Sequence, residues 1–327
     1  MAEYLPSKQM TRVRVPIGAL KNKMNKENFK QSFIKFHDKN YKLLLLIPLI
    51  LIIGSFVYMG YFYNQHGDFI YKDVSLTGGT SVTINNENIN SAELKNYLSS
   101  KLEDVNIRDI SDLTTGKQLA VIVETKSEGE YTRQILEEYL KYKLTDTNSS
   151  FEFTGASLSG TFFQQLLVAI LVAFVLMSIV VFVQFKNFVP SLAVIFSAFA
   201  DTFMTLVVMN ILGIRVSSAG IVAFLMLIGY SVDTDILLTN RVLKGGKGSI
   251  NFRIFESFKT GITMTLTSLF AVLAALFIVG SFSSTLFQIF LIMALGLLFD
   301  IINTWLTNVS IIKWYALSKQ KKQDEKN

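Results

Sequence analysis

The sequence predicts an α-helical membrane protein with six transmembrane helices and a small extracytoplasmic α+β domain between helices 1 and 2. Three observations predict this fold. Half of the 327 residues are hydrophobic, and six apolar segments reach the roughly 20 residues that a helix needs to cross a bilayer. Lysine and arginine gather on one side of those segments. One stretch, 64–160, has the alternating pattern of a soluble domain.

The apolar segments divide the chain into five predicted parts. These parts are a basic cytoplasmic N-terminal segment (1–42), transmembrane helix 1 (43–63), the extracytoplasmic domain (64–160), a five-helix transmembrane bundle (161–312) and a cytoplasmic tail (313–327). The predicted spans within the bundle are 161–183, 189–212, 217–238, 261–279 and 285–312. The first span is not a signal peptide, because it lies too far from the N-terminus and is too long.

The basic residues predict the orientation of the chain in the membrane. Ten of them precede the first span, five follow the fourth span before residue 260, and five lie in the tail. The short connections on the other side hold only Arg215. Because cytoplasmic segments carry an excess of lysine and arginine, we expect a multi-pass protein of the cell membrane with both termini cytoplasmic and residues 64–160 outside. This bias accounts for the net charge of +6, so no nucleic-acid partner is expected.

The segment 64–160 predicts a small domain with the element order β-α-β-β-α-β. The predicted strands are 74–84, 105–110, 118–124 and 150–153, with a turn at 114–117 between the second and third strands. Asn90 with Glu93, and Ser127 with Glu130, resemble capping boxes, and they open predicted helices that end near residues 102 and 142. This order is that of a ferredoxin-like split βαβ unit.

The composition excludes several kinds of chemistry. The chain has no cysteine and two histidines, so we expect neither a thiolate metal site nor a histidine-rich one. The domain 64–160 shows no catalytic constellation, and no nucleotide-binding motif is present. We therefore expect a protein that is not an enzyme and that holds no cofactor and no metal.

Four carboxylates lie inside the apolar spans. Asp201 lies near the midpoint of the third span and Asp300 near that of the sixth, while Asp233 and Asp235 lie in the fourth. A carboxylate in hydrocarbon costs on the order of 3 kcal/mol even on a mild scale. No Lys, Arg or His within predicted spans two to six neutralises these acids, so each must be protonated, line an ion path or meet a partner's cation.

The acids have a functional and a structural interpretation. The functional one is a proton or ion pathway, with Asp233 ranked first, then Asp201 and Asp300, and Asp235 close behind. The structural one is that protonated aspartates hydrogen-bond between helices. Because Asp233 and Asp235 are two residues apart, they cannot share one helix face, and one of them is expected to face a different neighbour.

Two motifs resemble a known family. The run from Gly229 to Leu238, followed by Asn240 and Arg241, resembles the fourth span of SecF, a subunit of the SecDF protein-export complex, and is closest to the archaeal type. Its motif residues here are Gly229, Tyr230, Ser231, Thr234 and Arg241. A second motif, Thr77-Gly78-Gly79, resembles the family's Thr-Gly-Gly after the first span. The likeness covers nearly the whole chain after residue 39.

The resemblance implies the function and the partners. SecF proteins belong to the RND-type transporters, whose full unit has twelve spans in two halves. The implied role is an accessory subunit of protein export, coupled to the proton-motive force or a sodium gradient. The implied partners are a SecD-like six-span subunit, the Sec translocon channel, a translocating preprotein and the lipid bilayer. Bacterial relatives have a basic residue near the start of span five, where this sequence has only 260–265, Thr-Gly-Ile-Thr-Met-Thr.

Two other functions remain open at this point. One is a half-transporter of RND type that exports a small molecule or lipid, although such exporters usually have larger external domains. The other is a membrane-anchored scaffold without a transport cycle, which would not need carboxylates at mid-membrane depth.

Overall fold

The structure is a computed structural model that describes residues 40–112, 115–244, 248–279 and 283–325. The predicted N-terminal segment lies outside the described residues except for its last three positions. Part of the predicted turn at 114–117 and part of the basic loop after the fourth span also lie outside them.

Six helices are long and apolar enough to cross a membrane, which confirms the predicted architecture. The spans are α1 (Leu46–His66), α5 (Ala156–Phe185), α6 (Phe188–Ile211), α7 (Ser218–Leu243), α8 (Ile250–Val279) and α9 (Ser284–Ile302). The last of these continues through a π-helical segment, Asn303–Asn308, into α10, Val309–Asp324. They are called spans one to six below, and the sixth span includes the π segment.

The fifth span starts eleven residues before its predicted beginning at residue 261. Hydropathy misses its first three turns because they carry charged residues such as Arg253 and Glu256. Ile250 and Ile254 of these turns are buried in a cluster with Trp305 of the sixth span and Ile312 of α10. Packing against another helix therefore extends this helix beyond its purely apolar part.

Spans three and four form the centre of the bundle. Each buries 56% of its most apolar window, whereas span two buries 6% and span five 11%. Glycines allow close helix contacts there, as is common in membrane bundles. A Cβ on Gly296 of span six would lie 2.2 Å from Leu227 of span four, and one on Gly261 of span five would lie 2.5 Å from Trp305.

The domain between spans one and two, which the sequence predicts to be external and which is called the external domain below, is a four-stranded antiparallel sheet with two helices. Its strands are β1 (Gly79–Ile84), β2 (Asn106–Ser111), β3 (Gln118–Thr125) and β4 (Ser149–Thr154), in the order β2-β3-β1-β4. The helices are α3 (Ser91–Ser99) and α4 (Gly129–Leu140), and their apolar faces bury one cluster with the sheet. This arrangement confirms the predicted ferredoxin-like unit.

The predicted strand 74–84 is wrong in its first half. Residues Val74–Thr77 form a single helical turn, α2, and the strand begins only at Gly79. Asp73 initiates this turn, because its carboxylate accepts a hydrogen bond from the backbone N–H of Ser75 at 2.9 Å. The alternating apolar pattern of residues 74–77 is therefore outweighed by a local cap.

One of the two predicted capping boxes is confirmed at its N-cap. The Asn90 side chain accepts hydrogen bonds from the N–H groups of Ala92 and Glu93. The other prediction is wrong, because the second helix begins at Gly129 and Glu128 precedes it without a side-chain cap. Ser127 Oγ instead accepts a hydrogen bond from the Glu103 N–H at 3.0 Å, so this hydroxyl holds a loop and not a helix end.

The external domain is fastened to the connection between spans three and four. The Asp73 N–H donates to the Val216 carbonyl at 3.0 Å, and the Val216 N–H donates to the Tyr71 carbonyl at 2.6 Å. Arg215 forms an ion pair with Asp104 at 2.8 Å. Arg215, the one basic residue of the short connections predicted to lie outside, therefore serves this contact.

Candidate functional site

Three carboxyl groups from three spans lie in the centre of the bundle. Asp201 of span three and Asp235 of span four are 0% exposed, and Asp300 of span six is 1% exposed. Each lies on the interior face of its helix. Because a carboxyl group deep in a membrane is costly unless its polar atoms are satisfied, its partners decide what it can do.

Asp201 accepts a hydrogen bond at each of its two oxygens. Its Oδ2 atom accepts from the Ser231 hydroxyl of span four, and its Oδ1 atom accepts from Asn303 Nδ2 of span six at 2.5 Å. Two neighbouring spans therefore contribute neutral donors to this carboxyl group, and no cation of the described chain pairs with it.

Asp235 and Asp300 share one hydroxyl group. Thr304 Oγ1 lies 2.8 Å from Asp235 Oδ1 and 3.0 Å from Asp300 Oδ1. A hydroxyl group has one proton to donate, so it can donate to only one of these oxygens. For both contacts to be hydrogen bonds, one of the two acids must carry a proton and donate it to Thr304. Thr304 therefore links the two carboxyl groups.

The remaining contacts leave several buried polar atoms of the cluster without a hydrogen bond of normal geometry. Asp235 Oδ1 also accepts from Asn308 Nδ2 at 2.7 Å, and Thr265 of span five lies 3.4 Å from Asp300 Oδ2. Asp235 Oδ2, Asn308 Oδ1 and the hydroxyl of Ser197 are buried without a hydrogen bond of normal geometry among the described residues, and the Ser197 hydroxyl is the donor that faces Asp235. A buried unsatisfied carboxyl oxygen needs an explanation, and a water molecule or proton carrier would supply one.

Three donors of the cluster come from the π-helical segment of span six. Asn303, Thr304 and Asn308 all contact Asp201, Asp235 or Asp300. A π-helical turn widens the helix locally, and such turns occur frequently at functional sites. Here it allows polar residues that are up to five positions apart to reach carboxyl groups on different spans.

Asp233 lies outside this cluster. It is exposed on the outer face of span four, whereas Asp235 faces the interior, as the two-residue spacing requires. The structure therefore brings together Asp201, Asp235 and Asp300, and leaves the acid that the sequence ranked first facing away from this chain. Two other motif residues, Gly229 and Tyr230, lie on the same outer face.

The other motif residues of span four serve packing and the cluster. Ser231 donates to Asp201, and Thr234 is buried where span four meets Gly261 of span five. Arg241 donates from Nη1 to the Glu256 carbonyl at 2.8 Å and to Thr260 Oγ1 at 2.9 Å. The motif thus joins span four to its neighbours along most of its length.

The Thr77-Gly78-Gly79 motif marks a close approach between the external domain and the bundle. Gly78 has φ +83°, and a Cβ there would lie 2.4 Å from the Cα atom of Ala156 at the start of span two. Gly79 has φ +135°, and a Cβ there would lie 2.2 Å from the Thr125 carbonyl oxygen. Residues other than glycine are therefore excluded at both positions.

A second carboxyl pair lies at the base of the external domain. Arg108 pairs with Glu124 and lies 3.7 Å from Asp73, and Asn106 donates to Glu124 at 2.9 Å. Burial, followed by the charge of Glu124, raises the pKa of Asp73 to about 6. The pair lies beside the glycine motif, so its charge state bears on how firmly the domain is held.

Asp73→Asn is expected to reduce the pH dependence of stability. The folded pKa of Asp73 exceeds the value of about 3.9 in an unfolded chain, so folding binds a proton and stability falls as pH rises from about 4 to 6. Asparagine still caps the turn, and it should raise the free energy of unfolding by about 2 kcal/mol at pH 7.5 but not at pH 4. Thermal unfolding of the purified protein measures this, and the exposed Asp146→Asn is the control. Equal changes in the free energy of unfolding at pH 4 and pH 7.5 would contradict this prediction.

Sequence reasoning missed three residues of the bundle. It did not single out Asn308 or Ser197, and it overlooked Gln288 of span six. The Gln288 side chain accepts from the Ser217 N–H at 2.9 Å and donates to the Arg215 carbonyl. A buried amide in an apolar span is the signal that could have identified Gln288. Within the described residues, no group of three His, Cys, Asp or Glu side chains could hold a metal ion.

The chain is similar to proteins of known family. The family described as "Protein export membrane protein SecD/SecF, C-terminal" matches residues 135–318. The protein-export membrane protein SecF of Methanocaldococcus jannaschii is 39% identical over 291 residues, which cover 87% of this chain and 99% of that protein. SecF of Methanothermobacter thermautotrophicus is 36% identical, with 85% and 93% covered.

Solved structures share the fold. The SecDF structure from Thermus thermophilus, described as a translocon-associated membrane protein, aligns with a TM-score of 0.65 at 19% identity and covers 88% of this chain. This chain corresponds to 38% of the length of that SecDF chain. SecDF in its super-membrane-facing form aligns with a TM-score of 0.55.

The family match covers more than half of the chain, and the SecF relatives are more than 30% identical over nearly their full length. The chain therefore belongs to the SecF family of protein-export membrane proteins.

Proposed function

We propose that this protein is an accessory membrane subunit of the Sec machinery that assists the movement of proteins across the cytoplasmic membrane. The observation that carries the proposal is the near full-length similarity to SecF proteins. Its partners are a SecD-like six-span subunit, the Sec translocon channel and the translocating preprotein. It forms and breaks no covalent bonds, so its work requires an external source of energy.

The energy comes from an ion gradient across the membrane, and Asp201, Asp235 and Asp300 form the pathway that the ion follows. One charge that crosses 100 mV releases about 2.3 kcal/mol, which is enough to bias a conformational equilibrium about fifty-fold. The shared Thr304 hydroxyl supports proton movement between Asp235 and Asp300. Thr265 stands where span five meets the cluster, so no basic residue of that span takes part.

Asp233 faces the partner subunit. Val222, Met226, Tyr230 and Asp233 follow one another at three- and four-residue spacing, and all are exposed, so they form one face of span four. A Cβ on Gly229, on the same face, would have no neighbour within 4 Å. A carboxylate and a glycine on an open face at membrane depth fit a second helix that packs closely and satisfies the acid.

The protein lies in the cell membrane with both termini in the cytoplasm and residues 64–160 outside. The distribution of lysine and arginine supports this orientation. The domain boundaries predicted above, 43–63, 64–160 and 161–312, follow from it. The half-transporter alternative is not favoured, because the similar proteins export proteins.

Gly229→Leu is expected to separate the two subunits. Leucine adds four carbon atoms to the face of span four that we assign to the partner, while the interior of this chain has no atom to clash with. We expect at least tenfold less SecD-like subunit to co-purify in mild detergent, and export to fall with it. The co-purified amount is measured by quantitative blotting.

Gly60→Leu is the matched control for this experiment. Gly60 lies in the first span, and a Cβ there also has no neighbour within 4 Å. This variant should keep the partner and the export activity. Full retention of the partner by Gly229→Leu would show that the partner uses another face.

A further inference from the structure

A polar cavity lies at the charged end of the bundle, away from the carboxyl cluster. Its volume is about 390 Å³, and it lies between the end of span four, the start of span five and the C-terminal helix α10. Its charged lining residues within the described chain are Arg253 and Lys319, and Ser249, Gln320 and Gln323 add polar groups. The described lining therefore contains two positive charges and no negative one.

Two further features of the cavity favour an anion: a buried, unpaired donor and a helix N-terminus. The Nε atom of Arg253 is buried and has no hydrogen-bond partner among the described residues, and a buried unpaired donor of a charged group is expensive. The positive end of the 30-residue fifth helix also points here, since that helix starts at Ile250 beside Ser249. Helix N-termini attract anions through their free N–H groups and their dipole.

The cavity lies at the level of lipid headgroups. Trp314, which is 52% exposed, and Tyr315, which donates to Asn187 at 3.0 Å, come one to two turns before Lys319 on the same helix. Tryptophan and tyrosine collect at the membrane–water interface. The Arg253 side chain and Lys319 therefore stand where the phosphates of the lipid leaflet lie.

From this arrangement we propose that the cavity is a binding site for a phosphate group at the membrane surface, carried by an anionic lipid headgroup or present as free phosphate. The Arg253 guanidinium donates hydrogen bonds to the phosphate oxygens. Lys319 adds a charge from α10. An occupied site joins spans four and five to the C-terminal helix, which none of the carboxyl contacts does.

The position of the acids on α10 agrees with this assignment. Asp324 and Glu325 follow the lining residues at the end of the helix, and Glu325 lies 3.9 Å from Lys321. Neither acid lines the cavity. Gly248, which does line it, has φ +102°, and a Cβ there would lie 2.7 Å from the Phe252 ring. The entry into the fifth helix is therefore built around a glycine-only turn.

The test uses the full-length protein purified with its partner. It is reconstituted in nanodiscs of phosphatidylcholine alone or with phosphatidylglycerol, and native mass spectrometry counts the phosphatidylglycerol that remains bound. A separate arm adds inorganic phosphate to protein in phosphatidylcholine and records thermal unfolding. We expect Arg253→Gln to reduce bound phosphatidylglycerol about tenfold and Lys319→Gln about fivefold. Lys322→Gln, which removes an exposed charge from the same helix outside the cavity, should change nothing.

Each outcome decides the proposal. Loss of phosphatidylglycerol in Arg253→Gln and Lys319→Gln alone identifies a lipid headgroup. Stabilisation of the original protein by inorganic phosphate, absent in Arg253→Gln, identifies free phosphate. If Arg253→Gln is already less stable in phosphatidylcholine, the proposal is judged on Lys319→Gln. The Lys319 side chain is exposed, so its replacement should not destabilise the fold. The proposal is overturned if the original protein and both cavity variants retain equal phosphatidylglycerol and inorganic phosphate does not stabilise the original protein. An equal loss in Lys322→Gln also overturns it.

Discussion

Asp201→Asn and Asp235→Asn are each expected to reduce protein export about fifty-fold while the complex stays assembled. The size follows from the loss of one coupled charge, which is worth about 2.3 kcal/mol at 100 mV. Asparagine keeps the shape of aspartate but cannot ionise. The measurement is the rate of preprotein translocation into vesicles with an imposed ion gradient, together with the amount of co-purified SecD-like subunit.

Asparagine at position 201 removes ionisation and keeps both hydrogen bonds of the side chain. The oxygen of the new amide can still accept from Asn303 Nδ2, while its nitrogen donates to Ser231 Oγ, because a hydroxyl group can donate or accept. Both hydrogen bonds of Asp201 therefore survive. At position 235 the amide oxygen keeps the contacts with Thr304 and Asn308, so a loss of export is due to lost ionisation.

Leucine at the same positions separates ionisation from helix packing. Leucine removes the hydrogen bonds as well, so it should reduce both export and assembly, whereas asparagine reduces export alone. Asp324→Asn, on the exposed end of the C-terminal helix, is the control for charge and should export normally. Normal export by both asparagine variants would refute the ion pathway and leave the acids a structural role.

Gly79→Ala is expected to have the largest effect on folding. Alanine must adopt φ +135° and bring its Cβ within 2.2 Å of the Thr125 carbonyl oxygen, which belongs to the neighbouring strand. Backbone strain and the clash together should cost more than about 3 kcal/mol. Strand β1 pairs with both β3 and β4, so the sheet should loosen and the external domain should become sensitive to protease.

Gly60→Ala is the control for this prediction. Gly60 lies inside the helical first span, with open space where the Cβ would be, so the abundance and the protease resistance of the Gly60→Ala variant should stay unchanged. Limited proteolysis of membranes that contain each variant, followed by blotting, gives the comparison. Equal protease resistance of the two variants would mean that the sheet can shift away from the Thr125 carbonyl.

Local patterns were enough to predict the spans and most of the external domain. Hydropathy located six helices because every backbone polar group in a bilayer must be bonded within its own segment. The Asn90 cap and the order of strands and helices followed from short-range signals as well. These signals gave the wrong prediction at 74–77 and at Ser127. At each place a polar side chain could form either of two hydrogen bonds, and contacts with the surrounding fold determined which one formed.

The sequence by itself determined that acids lie inside the membrane, but only the tertiary structure decided which of them meet. Periodicity requires Asp233 and Asp235 to face opposite ways, yet it does not say which one faces the interior. That depends on the rotation of span four, which the packing of Leu227 against Gly296 and of Thr234 against Gly261 sets. The π segment, which brings Asn303, Thr304 and Asn308 to three carboxyl groups, has no local sequence signal, because contacts with spans three and four stabilise it.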